Sequence, residues 1–195
     1  MLVDACHLLP SNPPAGPLPT VHHALPGLPS IQSLAAHGLY LLIAATASCV
    51  HLAHLPTEGG SPPQLLSNWE VGTGAQVLAG DLVAGPEPHL LTAVVGAADG
   101  SLHLLDVNVA LSEPSMASTP LQEYHVGPVT GAVVHPDCCR VVTCGKDGSV
   151  RVWAPTEGGS VDMEAVRRFS SPQTYLASCS GRALVAVGSH TGVVR

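Results

Sequence analysis

Apolar and polar residues alternate most regularly between His125 and Trp153, in the stretch HVGPVTGAVVHPDCCRVVTCGKDGSVRVW. Val129, Gly131 and Val133 mark one run, Val141 to Thr143 a second, and Ser149 to Trp153 a third. A period of two with β-branched side chains predicts strands, because successive side chains on an extended backbone point to opposite faces. Pro136-Asp137 turns the first run into the second, and Lys146-Asp147-Gly148-Ser149 makes a tight hairpin into the third. The stretch is expected to be a three-stranded antiparallel meander.

The same shape recurs on both sides. Tyr40 to Ala45 is an apolar run, Thr46-Ala47-Ser48 a small-residue turn, and Cys49 to Leu55 alternates, with an outer strand expected near Trp69-Glu70-Val71. Ala75 to Val83 and Leu90 to Val95 predict two strands, Ala98-Asp99-Gly100 a turn, and Ser101 to Val107 another strand. Residues 108–120 read as a linking loop, and residues 154–162 as another. Met163 to Arg168 predicts an outer strand and Tyr175 to Cys179 an inner one; residues 183–195 give a strand, a turn at Thr191-Gly192, and the start of a further strand. Residues 1–34 differ: seven prolines between Pro10 and Pro29 make a Pro- and His-rich lead-in, expected to be partly disordered, in which one or two short strands could lie.

Laid side by side, the hairpins read IAATASCVHLA from Ile43, VGAADGSLHLL from Val95, TCGKDGSVRVW from Thr143 and VGSHTGVVR from Val187. Ser48, Gly100, Gly148 and Gly192 align at the turn, 52, 48 and 44 residues apart. An internal period of this length, with about four strands per unit, is the signature of a β-propeller. No unit can bury both faces of its sheet alone, so neighbours must stack. The expected architecture is all-β, with about four blades over units 35–68, 69–113, 121–160 and 163–195. A seven-bladed wheel at this period needs on the order of 300 residues, so an incomplete wheel, truncated or open, is expected. It should leave an exposed strand edge and self-associate.

Composition narrows the functional classes. Aromatics are 3% of the chain, so its core must be built from Val, Leu and Ala. With a formal charge of −7 and Lys146 the sole lysine, no basic cluster exists to neutralise a phosphate backbone, and direct nucleic-acid binding is not expected. The longest apolar core free of charge, Leu39 to Ala47, is far short of the ~20 residues that span a bilayer, so no membrane insertion is expected. The six cysteines (6, 49, 138, 139, 144 and 179) form no C-x-x-C pair. With no basic n-region ahead of the first apolar residues, they read as reduced thiols of an intracellular protein.

His125-Val126-Gly127-Pro128-Val129 resembles the His-x-x-x-Val opening of a WD40 repeat; Thr143 falls at that family's second-strand hydroxyl, Asp147 at its tight-turn aspartate and Trp153 at the close of its third strand. The resemblance implies that His125, Thr143, Asp147 and Trp153 form a structural network of side-chain hydrogen bonds. Asp99, Gly100, Gly148 and Gly192 take the blade-turn positions. The other units depart from the pattern: the tryptophan position is Ala53 or Leu105, and the hydroxyl position is Ile43, Val95 or Val187. Those blades must rest on apolar packing.

A finer resemblance rests on Tyr124-His125, Gly127-Pro128, Thr130-Gly131, Val133-Val134 and Val142-Thr143 through Gly148. It is similar to the small propeller nucleoporin of the nuclear pore outer-ring Y complex. That implies a structural role in pore assembly and nucleocytoplasmic transport, α-solenoid nucleoporins as partners, and a location at the nucleus or nuclear pore, with the cytoplasm as the alternative.

Catalytic patterns are weak. Gly72-Thr73-Gly74 lacks the Gly-Lys-Ser/Thr of a phosphate loop. Gly188-Ser189-His190-Thr191-Gly192 puts its serine one place too early for a nucleophile elbow. Cys138 with His135 lacks an orienting third group. His22-His23 have no third metal ligand nearby, and His51, His54 and His103 read as surface histidines on strands. No catalytic, cofactor-binding or metal residue is therefore assigned. The expected function is a non-enzymatic scaffold that binds other proteins through loops 57–68, 108–123 and 154–163 on a rigid frame. The alternative is a substrate-recruiting subunit of another intracellular complex, such as a ubiquitin ligase adaptor.

Overall fold

The structure is a computed structural model that describes residues 2–4, 22–24, 28, 30–45, 48–56, 62–85, 87–110, 114–121, 125–135, 140–156, 161–179 and 184–195. Tyr124, the turns at Thr46-Ala47 and Pro136-Asp137, Cys6, Cys138, Cys139, parts of the three loops, and the side chains of His22 and His23 lie outside the described residues.

Within these bounds the chain forms antiparallel sheets built from strands adjacent in sequence. A short ladder joins β1 (Leu2–Asp4) to β2 (His22–Ala24). The first blade contains β3 (Ile31–His37), β4 (Tyr40–Ala45), β5 (Cys49–His54) and β6 (Gln64–Glu70). The second contains β7 (Val77–Ala84), β8 (Leu90–Ala97), β9 (Leu102–Asn108) and β10 (Ser115–Pro120). The third contains β11 (Val129–His135), β12 (Arg140–Gly145), β13 (Ser149–Pro155) and β14 (Val161–Arg168). In the fourth, β15 (Gln173–Cys179) pairs with β16 (Leu184–Ser189), and a bridge from Gly188 to Val194 starts a further strand. Inner strands β3, β7, β11 and β15 lie side by side in that order, as successive blades of a WD40-like propeller that the described residues do not close. Among the described residues no helix is long and apolar enough to cross a membrane.

The core lies between blades. Leu42, Ala44, Val50 and Leu52 of the first blade pack against Val77, Leu82, Ala93 and Val95 of the second. Ala79, Val94 and Leu102 of the second meet Val129, Ala132, Val134 and Trp153 of the third. The small aliphatic residues that the composition supplies are what this close approach needs. A Cβ on Gly96 would overlap the Val129 side chain, and one on Gly131 would come within 3.1 Å of Leu176.

Several stretches differ from their sequence reading: residues 64–68, read as the end of a loop, belong to β6, and residues 161–162, also read as loop, open β14. Residues 108–120 are not one loop, because β10 pairs with β9 from Ser115↔Asn108 to Pro120↔His103. Ser-Met-Ala-Ser-Thr-Pro shows no alternation. This outer edge is held by main-chain hydrogen bonds, which leave no mark on the side-chain pattern. The first blade also begins at Ile31, inside the stretch read as lead-in.

The fourth blade leaves Tyr175 77%, Leu184 57% and Val194 74% exposed. Apolar side chains gathered on one sheet favour association, so the chain is expected to self-associate as its concentration rises. Light scattering across a dilution series checks this, and a constant mass of 19.9 kDa would refute it.

Candidate functional site

The polar residues singled out from the sequence meet at the top of the third blade. The β12–β13 hairpin sets their spacing. Gly148, at φ 76°, turns the chain so that Asp147 points back over the sheet, while Thr143 on β12 and Trp153 on β13 share one face. His125 enters from the linker ahead of β11. Its Nδ1 lies 3.1 Å from Asp147 Oδ1, and its Nε2 lies 2.9 Å from Thr143 Oγ1. Trp153 donates its indole N–H to Thr143 Oγ1 at 3.0 Å. His125, Thr143 and Trp153 are all buried.

One proton arrangement gives each of these groups a partner. Trp153 donates to Thr143, the threonine hydroxyl donates to His125 Nε2, and His125 donates from Nδ1 to the Asp147 carboxylate. The imidazole is then neutral. Burial pushes the His125 pKa down, more strongly than the neighbouring carboxylate pushes it up. Burial also opposes ionisation of Asp147. The Ser149 amide and hydroxyl, His125 and the Val126 amide outweigh it and hold the carboxyl at about 2.

Ser149 and Arg151 belong to the same cluster and were not singled out from the sequence. Ser149 Oγ donates to Asp147 Oδ1 at 2.7 Å and lies 3.0 Å from His125 Nδ1, and Arg151 places Nη2 3.6 Å from Asp147 Oδ2. The signal for Ser149 was present as the repeated Asp-Gly-Ser. In the second blade, Asp99 likewise accepts from the Ser101 amide at 3.0 Å and hydroxyl at 2.6 Å, while Thr73 supplies a hydroxyl at 2.8 Å in place of an imidazole. In the first blade, Ser48 donates to Glu70 at 2.8 Å.

The turn positions join one blade to the next. The carbonyls of Ser48, Gly100 and Gly148 accept from the amides of Val71 (2.8 Å), His125 (3.2 Å) and Phe169 (2.9 Å), each on the linker into the following blade. Gly192 has the same left-handed backbone, with open space around it.

A second polar feature lines the inner strands. Asp81 on β7 accepts from the Val134 amide on β11 at 2.9 Å and from the Leu82 amide at 2.9 Å, beside a cavity of about 320 Å³ at the centre of the blades. Burial raises its pKa against these two hydrogen bonds and the nearby His37.

The histidines weighed as metal ligands lie apart in role. His54 meets Tyr40 edge-on at 5.4 Å, and His103 leans on Trp69 at 5.0 Å. Among the described residues no group of three His, Cys, Asp or Glu side chains converges as metal ligands. Gly188 to Gly192 spans the end of β16 and its turn, where Ser189 Oγ lies 3.0 Å from Thr191 Oγ1.

With this geometry in view, the family model "WD domain, G-beta repeat" matches residues 118–154. Residues 118–154 are thus similar to a WD40 repeat. The match covers the end of β10, the linker bearing His125 and the first three strands of the third blade, so the matched stretch contains the whole hydrogen-bonded cluster. Cilia- and flagella-associated protein 43 of Chlamydomonas reinhardtii is 38% identical over 105 residues, or 53% of this chain. The chain spans about 6% of that protein's length. In fold, the chain is similar to the computationally designed Ika4 protein, with a TM-score of 0.61 at 20% identity, covering 88% of this chain and 93% of that one.

Proposed function

We propose that the chain is a non-enzymatic interaction scaffold working in a cilia- or flagella-associated assembly. The observation that carries this reading is how the WD40 repeat uses its polar groups. His125, Thr143, Asp147 and Trp153 hydrogen-bond to one another, and the three of them most suited to chemistry are turned inward as bracing. What such a blade offers outward is a stiff frame carrying loops, and loops on a rigid frame are where partners dock. The ciliary setting is taken from the Chlamydomonas relative, whose name places it with cilia and flagella.

The nucleoporin reading is kept as a second one, since Gly127-Pro128 and Val142-Thr143 through Gly148 are the residues that suggested it. Proximity labelling with the full chain in ciliated cells separates the two. Enrichment of axonemal proteins is the expected result. Enrichment of Y-complex nucleoporins would favour the second reading, and of a ubiquitin ligase core the adaptor alternative; either would overturn the ciliary proposal.

A further inference from the structure

We infer that β14, the outer edge of the third blade, is a docking edge for an acidic extended peptide, added as a fifth strand. The inference rests on the scaffold reading and gives it a partner chemistry. An edge strand presents main-chain N–H and C=O groups free to pair, and proteins blunt such edges with proline or short length. β10 is flanked by Pro114 and ends at Pro120, and β6 follows Pro62-Pro63 and spends Glu70 on Ser48. β14 runs eight residues without proline, and every residue from Glu164 to Arg168 is exposed.

Charge selects the partner. The chain carries a formal −7, yet three of its seven basic residues, Arg167, Arg168 and Arg195, gather at the end of this strand. Arg167 and Arg195 both lie over the Phe169 ring, at 5.4 and 4.5 Å from its centre. Neither Arg167 nor Arg168 has an ion pair among the described residues. Glu164, the acid nearest in sequence on the same strand, is held by Arg140 at 2.6 Å.

Adjacent residues on a strand project to opposite faces. Two consecutive acidic residues on an added strand would therefore meet Arg167 with Arg195 on one face and Arg168 on the other, as cross-strand pairs of opposite charge. Val166, 47% exposed, offers an apolar neighbour to a β-branched residue beside those acids.

The test uses the full chain and a fluorescent peptide of alternating valine and threonine around a central Glu-Glu pair, followed by anisotropy. Saturable binding that weakens as salt is raised is expected, with slowed hydrogen exchange in β14. A chain carrying Arg167→Glu with Arg168→Glu, shown by circular dichroism to be folded, should bind about tenfold more weakly. A peptide N-methylated at alternate positions should not bind, because it cannot pair along the edge. Equal binding by the methylated peptide, by a Lys-Lys peptide or by a DNA oligonucleotide would overturn the inference. So would protection outside β14. Such a failure would leave the outcome of proximity labelling untouched, so the two readings fail separately.

Discussion

Asp147→Ala is expected to lower stability by about 3 kcal/mol, and Asp147→Asn by about 2 kcal/mol. Burial by itself disfavours the charge, but four hydrogen-bond donations reverse this and bring the carboxyl from 3.8 to about 2. A shift of that size corresponds to about 2 kcal/mol of preference for the folded state. Alanine removes the acceptor as well, leaving the His125 N–H and the Val126 and Ser149 amides to seek others in a site where Asp147 is 11% exposed.

The acid limb of the stability curve carries the same signature. Asp147 has a folded pKa below its unfolded value. Its contribution is complete above about pH 4 and is lost as pH falls toward 2. His125 is also depressed, because burial disfavours the imidazolium. Its contribution is present above its unfolded value of 6.5 and declines below it. Protonation at Nε2 would also oblige Thr143 to accept from both His125 and Trp153 and to redirect its own proton, within a fully buried pocket. Urea titrations between pH 3 and 8 should therefore show two steps of acid weakening. Asp147→Asn should abolish the lower step and keep the upper one. An unchanged lower step would mean that another carboxylate governs it.

That cluster was legible in the sequence because the resemblance fixes offsets. His125, Thr143, Asp147 and Trp153 carry chemistry unusual for strand and turn positions, and their order survives in one blade. Central strands were legible for a simpler reason: β4, β8, β12 and β13 are buried on one or both faces, so their residues must alternate or run apolar. β10 was not, because its residues are mostly exposed and its hydrogen bonds are main-chain. The bond from the Val134 amide to Asp81 was also out of reach. It joins residues 53 apart on different blades, and only stacking of the inner strands brings them together. The same holds for the turn-to-linker bonds, which depend on where a neighbouring blade sits.

Those turn-to-linker bonds separate two glycines that look alike in sequence. Gly100→Ala is expected to cost about 3 kcal/mol or more, whereas Gly192→Ala should cost about 1 kcal/mol. Both residues have left-handed backbones, with φ of 92° and 78°, so both variants bear the conformational penalty of a side chain there. The surroundings differ. A Cβ on Gly100 would overlap the carbonyl oxygen of His125, while a Cβ on Gly192 meets nothing within 4 Å. Relief at Gly100 requires the linker to move, and that linker carries His125, whose amide bonds to the Gly100 carbonyl and whose ring holds Asp147 and Thr143. The damage should therefore spread from the second blade into the third. Hydrogen exchange ought to quicken at residues 125–127 and along β12 in Gly100→Ala and stay unchanged there in Gly192→Ala. Gly148→Ala should fall between them, since its Cβ would come within 2.5 Å of the Phe169 carbonyl oxygen, on a linker that carries no such network. Equal losses at the three positions would show that backbone strain alone sets the cost, and that the blades are not tied through their turns.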